Sequence, residues 1–274
     1  MQGLLYIVAT PIGNLKDISL RAIETLKNVD LIACEDTRHT KILLDEHGIK
    51  TSTTSYHKYN IKAKIKYIIN QLKQGKNIAI VSDAGTPGIS DPGQELIRAA
   101  SSEKIKIEVI PGASAVICAL SASGLSTDRF VFEGFLSTKS LKRKEQLQLL
   151  SGEDRTIVIY EAPHRLLRTL EDMKTYMGDR NIAVMRELTK KFEEISRGNI
   201  SEMIAKFTKI RPKGEFVVVI EGNGSNRTQL KDPQLLVLDL VKSGISQRDA
   251  VKIISSRLKV SKNELYRASL NSVK

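Results

Sequence analysis

Short apolar runs alternate with amphipathic segments along the first half of the chain. The apolar runs predict strands at 4–9, 31–34, 51–55, 77–81 and 105–110. The intervening segments have helical spacing and predict helices at about 19–26, 37–47, 61–72, 94–100 and 115–122. Continuous apolar strands that alternate with helices are typical of a parallel sheet covered on both faces. We therefore predict an α/β fold with a largely parallel first sheet.

The second half repeats the alternation with one difference. Strands are predicted at 130–135, 156–160, 181–186, 192–198 and 215–221, with helices at 137–150, 166–177 and 200–207. The strands at 181–186 and 192–198 follow each other without a helix, so this half predicts a mixed sheet.

A polar segment, GNGSNRT at 222–228, has the composition of a linker. Beyond it, helical spacing recurs at 235–241, 246–258 and 263–270, where Ser246 and Ser261 are expected caps. This unit resembles a helix-turn-helix, and a helical dimerisation or packing unit is the alternative. The predicted domains are two α/β domains, 1–113 and 114–222, and a helical unit at 229–274.

The stretch VSDAGTPGISDPG, residues 81–93, separates a strand from a helix. Its glycines allow positive φ and a close approach of the backbone to a ligand. Asp91 is the expected cap of the following helix, with Pro92 as its first residue. Ligands of open α/β sheets bind beyond the carboxyl ends of the strands, so the loop predicts a binding site, although a plain connector is the alternative.

Composition narrows the class of partner. The net charge of +12 favours a polyanion such as nucleic acid, and residues 225–274 carry ten Lys or Arg against four Asp or Glu. Two distant cysteines and four scattered histidines give no metal-binding spacing. The apolar start, MQGLLYIVAT, is too short for a membrane helix and lacks the basic start of a signal peptide, so we expect no membrane association and a cytoplasmic protein.

Seven motifs occur in order across most of residues 1–222: ATPIGNLKDIS, CEDTRHTKILL, VSDAGTPGISDPG, IPGASAV, YEAPHR, RELTKKFEE and GEFVVVIEG. Together they resemble the S-adenosylmethionine-dependent tetrapyrrole-methylase superfamily. They are most similar to its ribosomal branch, which methylates a cytidine 2′-oxygen in 16S rRNA. The chain has Thr10-Pro11-Ile12 where tetrapyrrole methylases have a glycine-rich turn, which favours the ribosomal branch.

The resemblance implies a donor cleft between two α/β domains and a homodimer that acts on 16S rRNA, within the small ribosomal subunit. S-adenosylmethionine would be the cofactor, without a metal. The positions that match the family's donor contacts are Pro11, Asp83, Thr86, Ser114, Ala115, Ala162, Met185 and Gly214.

Transfer to a ribose hydroxyl is assisted by a base for its proton. Three carboxylates that follow predicted strands are the candidates: Glu35, Asp36 and Glu187. Arg38 and Lys190 are expected to hold flanking phosphates. We predict EDTR, residues 35–38, as the substrate-side motif, and a helix cap or a surface ion pair is the alternative role of each residue.

Basic residues outside the cleft are expected to contact the RNA backbone, which positions the substrate without reading its sequence. They are Lys139, Lys142, Arg143, Lys144, Lys190, Arg248 and Lys252. Two other functions remain open: a small-molecule, tetrapyrrole-type methyltransferase and a non-catalytic regulator built on the helix-turn-helix. Donor binding distinguishes the regulator from both enzymes.

Overall fold

The computed structural model describes residues 2–57, 61–224, 233–242, 245–258 and 260–271. The chain divides into two compact units, Met1–Gly222 and Asn223–Lys274. The first unit contains two five-stranded sheets, and the second is helical. The predicted boundaries at 113 and 229 stay predictions.

The first sheet is entirely parallel, as predicted. Its strands are β1 (Leu5–Val8), β2 (Leu31–Cys34), β3 (Thr53–Ser55), β4 (Ile78–Val81) and β5 (Ile107–Ile110). The order is β3-β2-β4-β1-β5, so β1 lies between β4 and β5. The carboxyl ends of β1 and β4 are therefore neighbours, and the loops that follow them meet at one edge of the sheet.

Helices cover both faces of this sheet. They are α1 (Leu20–Asn28), α2 (Thr37–Glu46), α3 (Ile61–Lys73) and α4 (Gln94–Ser102), with a 3-10 turn at Leu15–Asp17. One apolar core joins α3 and α4 to the sheet through Ile68, Leu72 and Leu96. The other joins α1 and α2 through Leu26 and Leu44. Burial on both faces explains why the strands are continuous apolar runs.

The second sheet is mixed, as predicted. Its strands are β6 (Phe130–Phe135), β7 (Thr156–Glu161), β8 (Asn181–Arg186), β9 (Glu194–Asn199) and β10 (Phe216–Ile220). The order is β6-β7-β10-β8-β9, and only the β6–β7 pair is parallel.

Helices also cover both faces of the second sheet. Its helices are α5 (Ala115–Ser123), α6 (Ser140–Leu150), α7 (Leu166–Met177) and α8 (Ile200–Lys209). Helix α5 lies on one face, and its cluster includes Ile12 from the turn after β1. Helices α6 to α8 bury Leu147, Leu170 and Met203 against the other face. The contact of Ile12 with the α5 cluster joins the two halves of the first unit.

The predicted cap of α4 is wrong. Gly93, not Asp91, precedes the helix, and no side chain caps its first turn. Gly93 has a φ of 145°, and a Cβ atom there would lie 3.0 Å from the backbone nitrogen of Gly88. The loop thus folds back on itself, and the residue that precedes the helix lies two positions beyond the predicted cap.

The second unit contains α9 (Pro233–Lys242), α10 (Gln247–Leu258) and α11 (Lys262–Asn271), close to the three predicted helices. Among the side chains that the structure describes in this unit, the buried core includes Val237, Ala250, Val251, Ile254 and Leu265. Ser246 accepts a hydrogen bond from the Asp249 backbone (3.2 Å), as a capping residue does. The proposed linker, 222–228, lies largely outside the described residues.

Within the described ranges, no helix is both long enough and apolar enough to cross a membrane.

Candidate functional site

Two cavities lie side by side beyond the carboxyl ends of β1 and β4. The larger cavity has a volume of about 320 Å³ and is lined from both sheets. The smaller cavity, of about 200 Å³, is lined mainly by α2 and by the turns that follow β1 and β4. The site thus lies at the expected edge of the parallel sheet.

A short backbone bridge forms the wall between the two cavities. Thr10 donates its N–H to the Gly85 carbonyl (2.9 Å), and Gly85 donates back to the Thr10 carbonyl (3.1 Å). The Thr10 hydroxyl also donates to the Ser82 carbonyl (3.0 Å). Gly85 has a φ of 76°, which a residue with a side chain rarely adopts. This glycine therefore allows the loop after β4 to pair with the turn after β1.

The predicted donor contacts divide between the cavities. Five of them line the larger cavity: Thr86, Ser114, Ala115, Ala162 and Met185. Pro11 and Asp83 line the smaller cavity instead. Gly214 lies outside both linings, where its backbone packs on the Glu187 side chain, which a Cβ atom would meet at 2.6 Å.

The larger cavity combines apolar walls with polar ends. Ile12, Tyr160, Met185 and Val217 provide flat or apolar surface, which suits an adenine ring. Ser114 caps α5 and accepts from the Ile117 N–H (3.5 Å), so the first turn of α5 faces this cavity. The N-terminus of a helix favours an anion such as an amino-acid carboxylate.

Two acidic residues, Asp91 and Glu215, also line the larger cavity. Carboxylates favour cations, and S-adenosylmethionine carries both an ammonium and a sulfonium. The apolar walls, the helix N-terminus and the acidic groups together fit this donor.

Glu161 fixes one wall of the larger cavity. Its side chain is fully buried, and its Oε1 accepts from the Ala162 backbone (2.7 Å) and from Arg165 Nε (2.8 Å) and Nη2 (2.5 Å). Its Oε2 accepts from the Thr169 hydroxyl (2.6 Å). The buried carboxylate is thus fully paired, and it holds the backbone of Ala162 in place.

The wall of the smaller cavity includes Thr40 of α2, which is only 4% exposed. Its hydroxyl lies beside the Cys34 thiol, which donates to the Thr54 carbonyl (3.7 Å). Burial raises the pKa of the Cys34 thiol, and its hydrogen bond with the Thr40 side chain lowers that pKa by less.

Asp36 begins α2 as its capping residue. Its carboxylate accepts from the Arg38 backbone (2.8 Å) and from Arg38 Nε (3.2 Å) and Nη2 (2.9 Å). The hydrogen bonds from the side chain and then the backbone of Arg38 lower the pKa of Asp36 to about 2. Asp83 Oδ1 in turn accepts from the Asp36 backbone (3.2 Å). The carboxylate of Asp36 is therefore occupied by a cap and is a weak base.

Glu187 belongs to a charged cluster. Its Oε1 accepts from Lys190 Nζ (3.1 Å) and from the Glu215 backbone (2.9 Å), and Lys190 also donates to Glu215 (2.8 Å). Burial by itself raises the pKa of Glu187. The hydrogen bonds from the Glu215 N–H and from Lys190 lower the pKa by more than burial raises it, so the net shift is downward. Glu187 and Thr189 both have positive φ, 53° and 66°, which is unusual for residues with side chains.

Glu35, Asp36, Arg38 and Glu187 all lie outside the linings that the described residues give the two cavities. Lys190 lines the smaller cavity. The catalytic roles of these residues stay predictions.

The predicted RNA contacts differ in exposure. Arg143 is buried, and its guanidinium donates to Asp172 through Nε (2.8 Å) and Nη2 (2.6 Å). Its prediction as an RNA contact is wrong, because this ion pair joins α6 to α7. Lys139 and Lys142 are exposed and Lys144 is half-buried.

In the second unit, Arg248 and Lys252 are exposed. Arg168 of α7 is also exposed, and it donates to Ser140 (3.4 Å) at the start of α6.

No cluster of three or more His, Cys, Asp or Glu is placed to hold a metal in the part of the chain that the structure describes.

Comparison with known proteins gives a family for this chain. The family model "Tetrapyrrole (Corrin/Porphyrin) Methylases" matches residues 4–204. A "Ribosomal RNA small subunit methyltransferase I" from Synechocystis is 50% identical over 272 residues, 98% of each chain. A protein of the same name from Thermotoga maritima is 47% identical over 220 residues, which are 80% of this chain and 99% of that one.

The fold also occurs in solved structures. Uroporphyrin-III C-methyl transferase from Thermus thermophilus, solved with S-adenyl homocysteine, has a TM-score of 0.59 and 15% identity. The similarity covers 80% of this chain and 97% of that one. The parallel first sheet, the mixed second sheet and the match to the family model all indicate the same fold. This chain therefore belongs to the tetrapyrrole (corrin/porphyrin) methylase family and, within it, to the ribosomal RNA small subunit methyltransferase I family.

Proposed function

We propose that this protein is an S-adenosylmethionine-dependent methyltransferase that acts on a cytidine ribose 2′-oxygen in 16S rRNA of the small ribosomal subunit. The observation that carries the proposal is the 50% identity with the Synechocystis relative over 98% of both chains. The two cavities at the edge of the first sheet support an enzyme rather than a regulator, because a regulator needs no donor site.

The larger cavity is the proposed donor site. S-adenosylmethionine, when bound, supplies a methyl group on a sulfonium, which is an activated leaving group. Ser114 and Ala115 at the start of α5 would hold its carboxylate, and Met185 and Val217 would contact its adenine. Glu161 would keep the Ala162 wall in place through its hydrogen bonds. These residues position the donor, and positioning of two reactants can contribute about 7–11 kcal/mol.

The proposed base for the ribose hydroxyl is one of three carboxylates, Glu35, Asp36 or Glu187. Glu35 immediately follows β2 and is half-buried. Asp36 caps α2 with a pKa of about 2, and Glu187 is paired with Lys190. A positioned base contributes about 10²–10⁴-fold in rate.

The exposed basic residues are proposed to hold the RNA backbone. Lys139, Lys142 and Arg168 belong to the first unit, and Arg248 and Lys252 belong to the second. Residues 225–274 carry ten Lys or Arg against four Asp or Glu, so we assign the second unit to RNA affinity rather than to methyl transfer.

The chain is also proposed to act as a cytoplasmic homodimer. Large apolar side chains are exposed on α1 and α5, at Leu20 and Ile117, and they offer surface for self-association. Sedimentation of the purified protein at several concentrations would give the oligomeric state.

The test of the function is the transfer of a labelled methyl group from S-adenosylmethionine to small ribosomal subunits that lack this modification. Digestion to nucleosides then locates the label. Label on the 2′-oxygen of cytidine is the expected result. Label on another nucleoside would contradict the cytidine assignment, and donor binding without any label in RNA would favour a small-molecule acceptor.

A further inference from the structure

We propose that Phe192 is a stacking platform for one unpaired base of the RNA, at a nucleotide that flanks the acceptor. Basic residues of two neighbouring loops hold the phosphates on either side of that base. The inference rests on the function proposed above and adds to it a binding site that requires single-stranded RNA. The supporting observations are the position of the loop that carries Phe192, the charges around its ring and the hydrogen bonds that fix the loop.

The loop between β8 and β9, residues 187–193, lies at both cavities. Leu188 lines the larger cavity and Lys190 lines the smaller one. Phe192 is only two residues beyond Lys190, so their Cα atoms lie within about 7 Å of each other. Phe192 is nevertheless 66% exposed. An aromatic ring is therefore presented to solvent beside the proposed donor site, where a nucleotide that flanks the acceptor can reach it.

The charges around Phe192 distinguish it from an ordinary exposed apolar residue, which by itself indicates no partner. Lys191 Nζ lies 5.7 Å from the centre of the Phe192 ring. Residues 186–193 and 209–215 together contain six Lys or Arg against three Asp or Glu. Proteins that bind single-stranded RNA combine an aromatic face on which a base stacks with cations that follow the backbone. Both features are present here.

The loop before β10, residues 210–215, adds cations to this surface. Its backbone is joined to the end of β8, where Arg186 Nε donates to the Lys213 carbonyl (2.7 Å). Arg211 and Lys213 are exposed, as is Lys191. Among the residues that the structure describes, none of these three forms an ion pair with a carboxylate. Their positive charges are therefore available to phosphates.

The acidic residues of the two loops hold the loops together. Glu187 and Glu215 both pair with Lys190, at 3.1 and 2.8 Å. The Glu193 carboxylate accepts from the Thr189 backbone N–H (2.6 Å). Because the carboxylates make these internal contacts, the groups that remain for a ligand are cations and an aromatic ring. This combination favours a polyanion with stacking bases over a protein partner.

The backbone of the 187–193 loop is held in one shape. Lys190 N–H donates to the Glu187 carbonyl (3.0 Å), and Glu193 N–H donates to the Lys190 carbonyl (3.1 Å). These bonds hold Glu187 and Thr189 at positive φ, a conformation that costs energy for residues with side chains and is concentrated at functional sites. A loop that is already fixed loses little freedom when a base stacks on its ring, which favours binding.

The experiment uses the full-length protein and small ribosomal subunits that lack the modification. Phe192→Leu removes the ring and keeps an apolar side chain, Phe192→Tyr keeps a ring, and Lys191→Ala removes one cation. Tyr67→Leu is the matched control, because Tyr67 is an exposed aromatic residue of α3 with Lys64 Nζ 5.5 Å from its ring centre. Each variant is assayed for subunit affinity at several salt concentrations, S-adenosylhomocysteine affinity, melting temperature and sedimentation.

Phe192→Leu is expected to weaken subunit binding on the order of 10-fold, the effect of one stacked base, without changing its salt dependence. Phe192→Tyr should bind within about 2-fold of the wild type, because a base stacks on either ring. Lys191→Ala should instead lower the slope of log affinity against log salt by about 0.7, the value for one contact with a single strand. Tyr67→Leu should match the wild type. All variants should keep the wild-type S-adenosylhomocysteine affinity and melting temperature.

Wild-type subunit affinity for Phe192→Leu would overturn the proposal, and so would an equal loss for Phe192→Tyr, because stacking does not distinguish the two rings. A loss of affinity that accompanies a change in sedimentation would also overturn it, since Phe192 would then belong to a contact between copies of this chain. If the wild-type protein binds subunits but transfers no label to RNA, the proposed function fails, and the Phe192 variants still decide whether the loop binds RNA.

Discussion

The buried Glu161–Arg165 pair gives the sharpest prediction about stability. The Glu161 side chain is fully buried and that of Arg165 is 13% exposed, and four hydrogen bonds end on the carboxylate. Glu161→Ala leaves the guanidinium buried without a counter-charge. Removal of one partner of a buried ion pair costs about 3–5 kcal/mol. For a unit of this size, that cost corresponds to a fall in melting temperature of roughly 6–20 °C.

Two further variants separate charge from shape. Glu161→Gln keeps the volume and an acceptor toward Arg165, and the Thr169 hydroxyl can rotate to accept from the new amide. Charge-assisted hydrogen bonds are about twice as strong as neutral ones, so we expect roughly half the cost of the alanine variant. In the double variant Glu161→Leu/Arg165→Met, no charge remains buried, so we expect a smaller cost than for Glu161→Ala.

The assays are chemical denaturation for the free energy of unfolding and calorimetry for S-adenosylhomocysteine affinity. Donor affinity should fall with Glu161→Ala, because Ala162 in the wall of the larger cavity loses its hydrogen bond. A free energy of unfolding within about 1 kcal/mol of the wild type for Glu161→Ala would refute the reasoning, since it would mean that water or another group compensates the guanidinium.

Three further predictions concern the charged residues and the second unit. Asp36 should titrate near pH 2 in a carboxyl NMR experiment. Its lowered pKa means that the Asp36 cap stabilises the fold fully above the ordinary pKa of 3.8 and less as the pH falls through about 2. A titration midpoint near pH 4 would contradict the role of Asp36 as a cap. Lys142→Ala should weaken RNA binding and reduce its salt dependence by about one phosphate contact. Arg143→Ala should instead lower the melting temperature and leave the salt dependence of RNA binding unchanged, because Arg143 is paired with Asp172. Equal salt dependences for the two variants would argue against an RNA contact at Lys142 and a structural role at Arg143. A protein that ends at Gly222 should keep donor affinity and lose affinity for small ribosomal subunits, and unchanged subunit binding would exclude an RNA role for residues 223–274.

Local patterns predicted most of the elements of the fold. The strands 31–34, 130–135 and 181–186 and the helix 166–177 have the predicted limits, because apolar runs and flanking polar residues define them within a few positions. The cap Ser246 was recognisable for the same reason, since it contacts a backbone N–H only three residues away.

Long-range contacts account for what the sequence could not predict. Pro11 and Asp83 match family donor positions, yet they line a different cavity from Thr86. The two cavities are separated by the bridge between Thr10 and Gly85, which lie 75 residues apart in sequence. Arg143 looked like one of several basic residues in a turn and a helix, and only its neighbour on α7 makes it a core residue. Periodicity and composition report neither kind of contact.

The central place of β1 has a consequence for the order in which the chain can fold during synthesis. Strand β1 is made first, but Leu5 pairs with Ile78 and Ile107, which lie 73 and 102 residues later. At about 5–20 residues per second, β1 waits on the order of 4 to 15 seconds for its first partner. Throughout that interval an apolar strand with two open edges is available to other chains or to chaperones. The Thr10–Gly85 bridge also needs β4 to be complete, so the wall between the two cavities forms only after this wait.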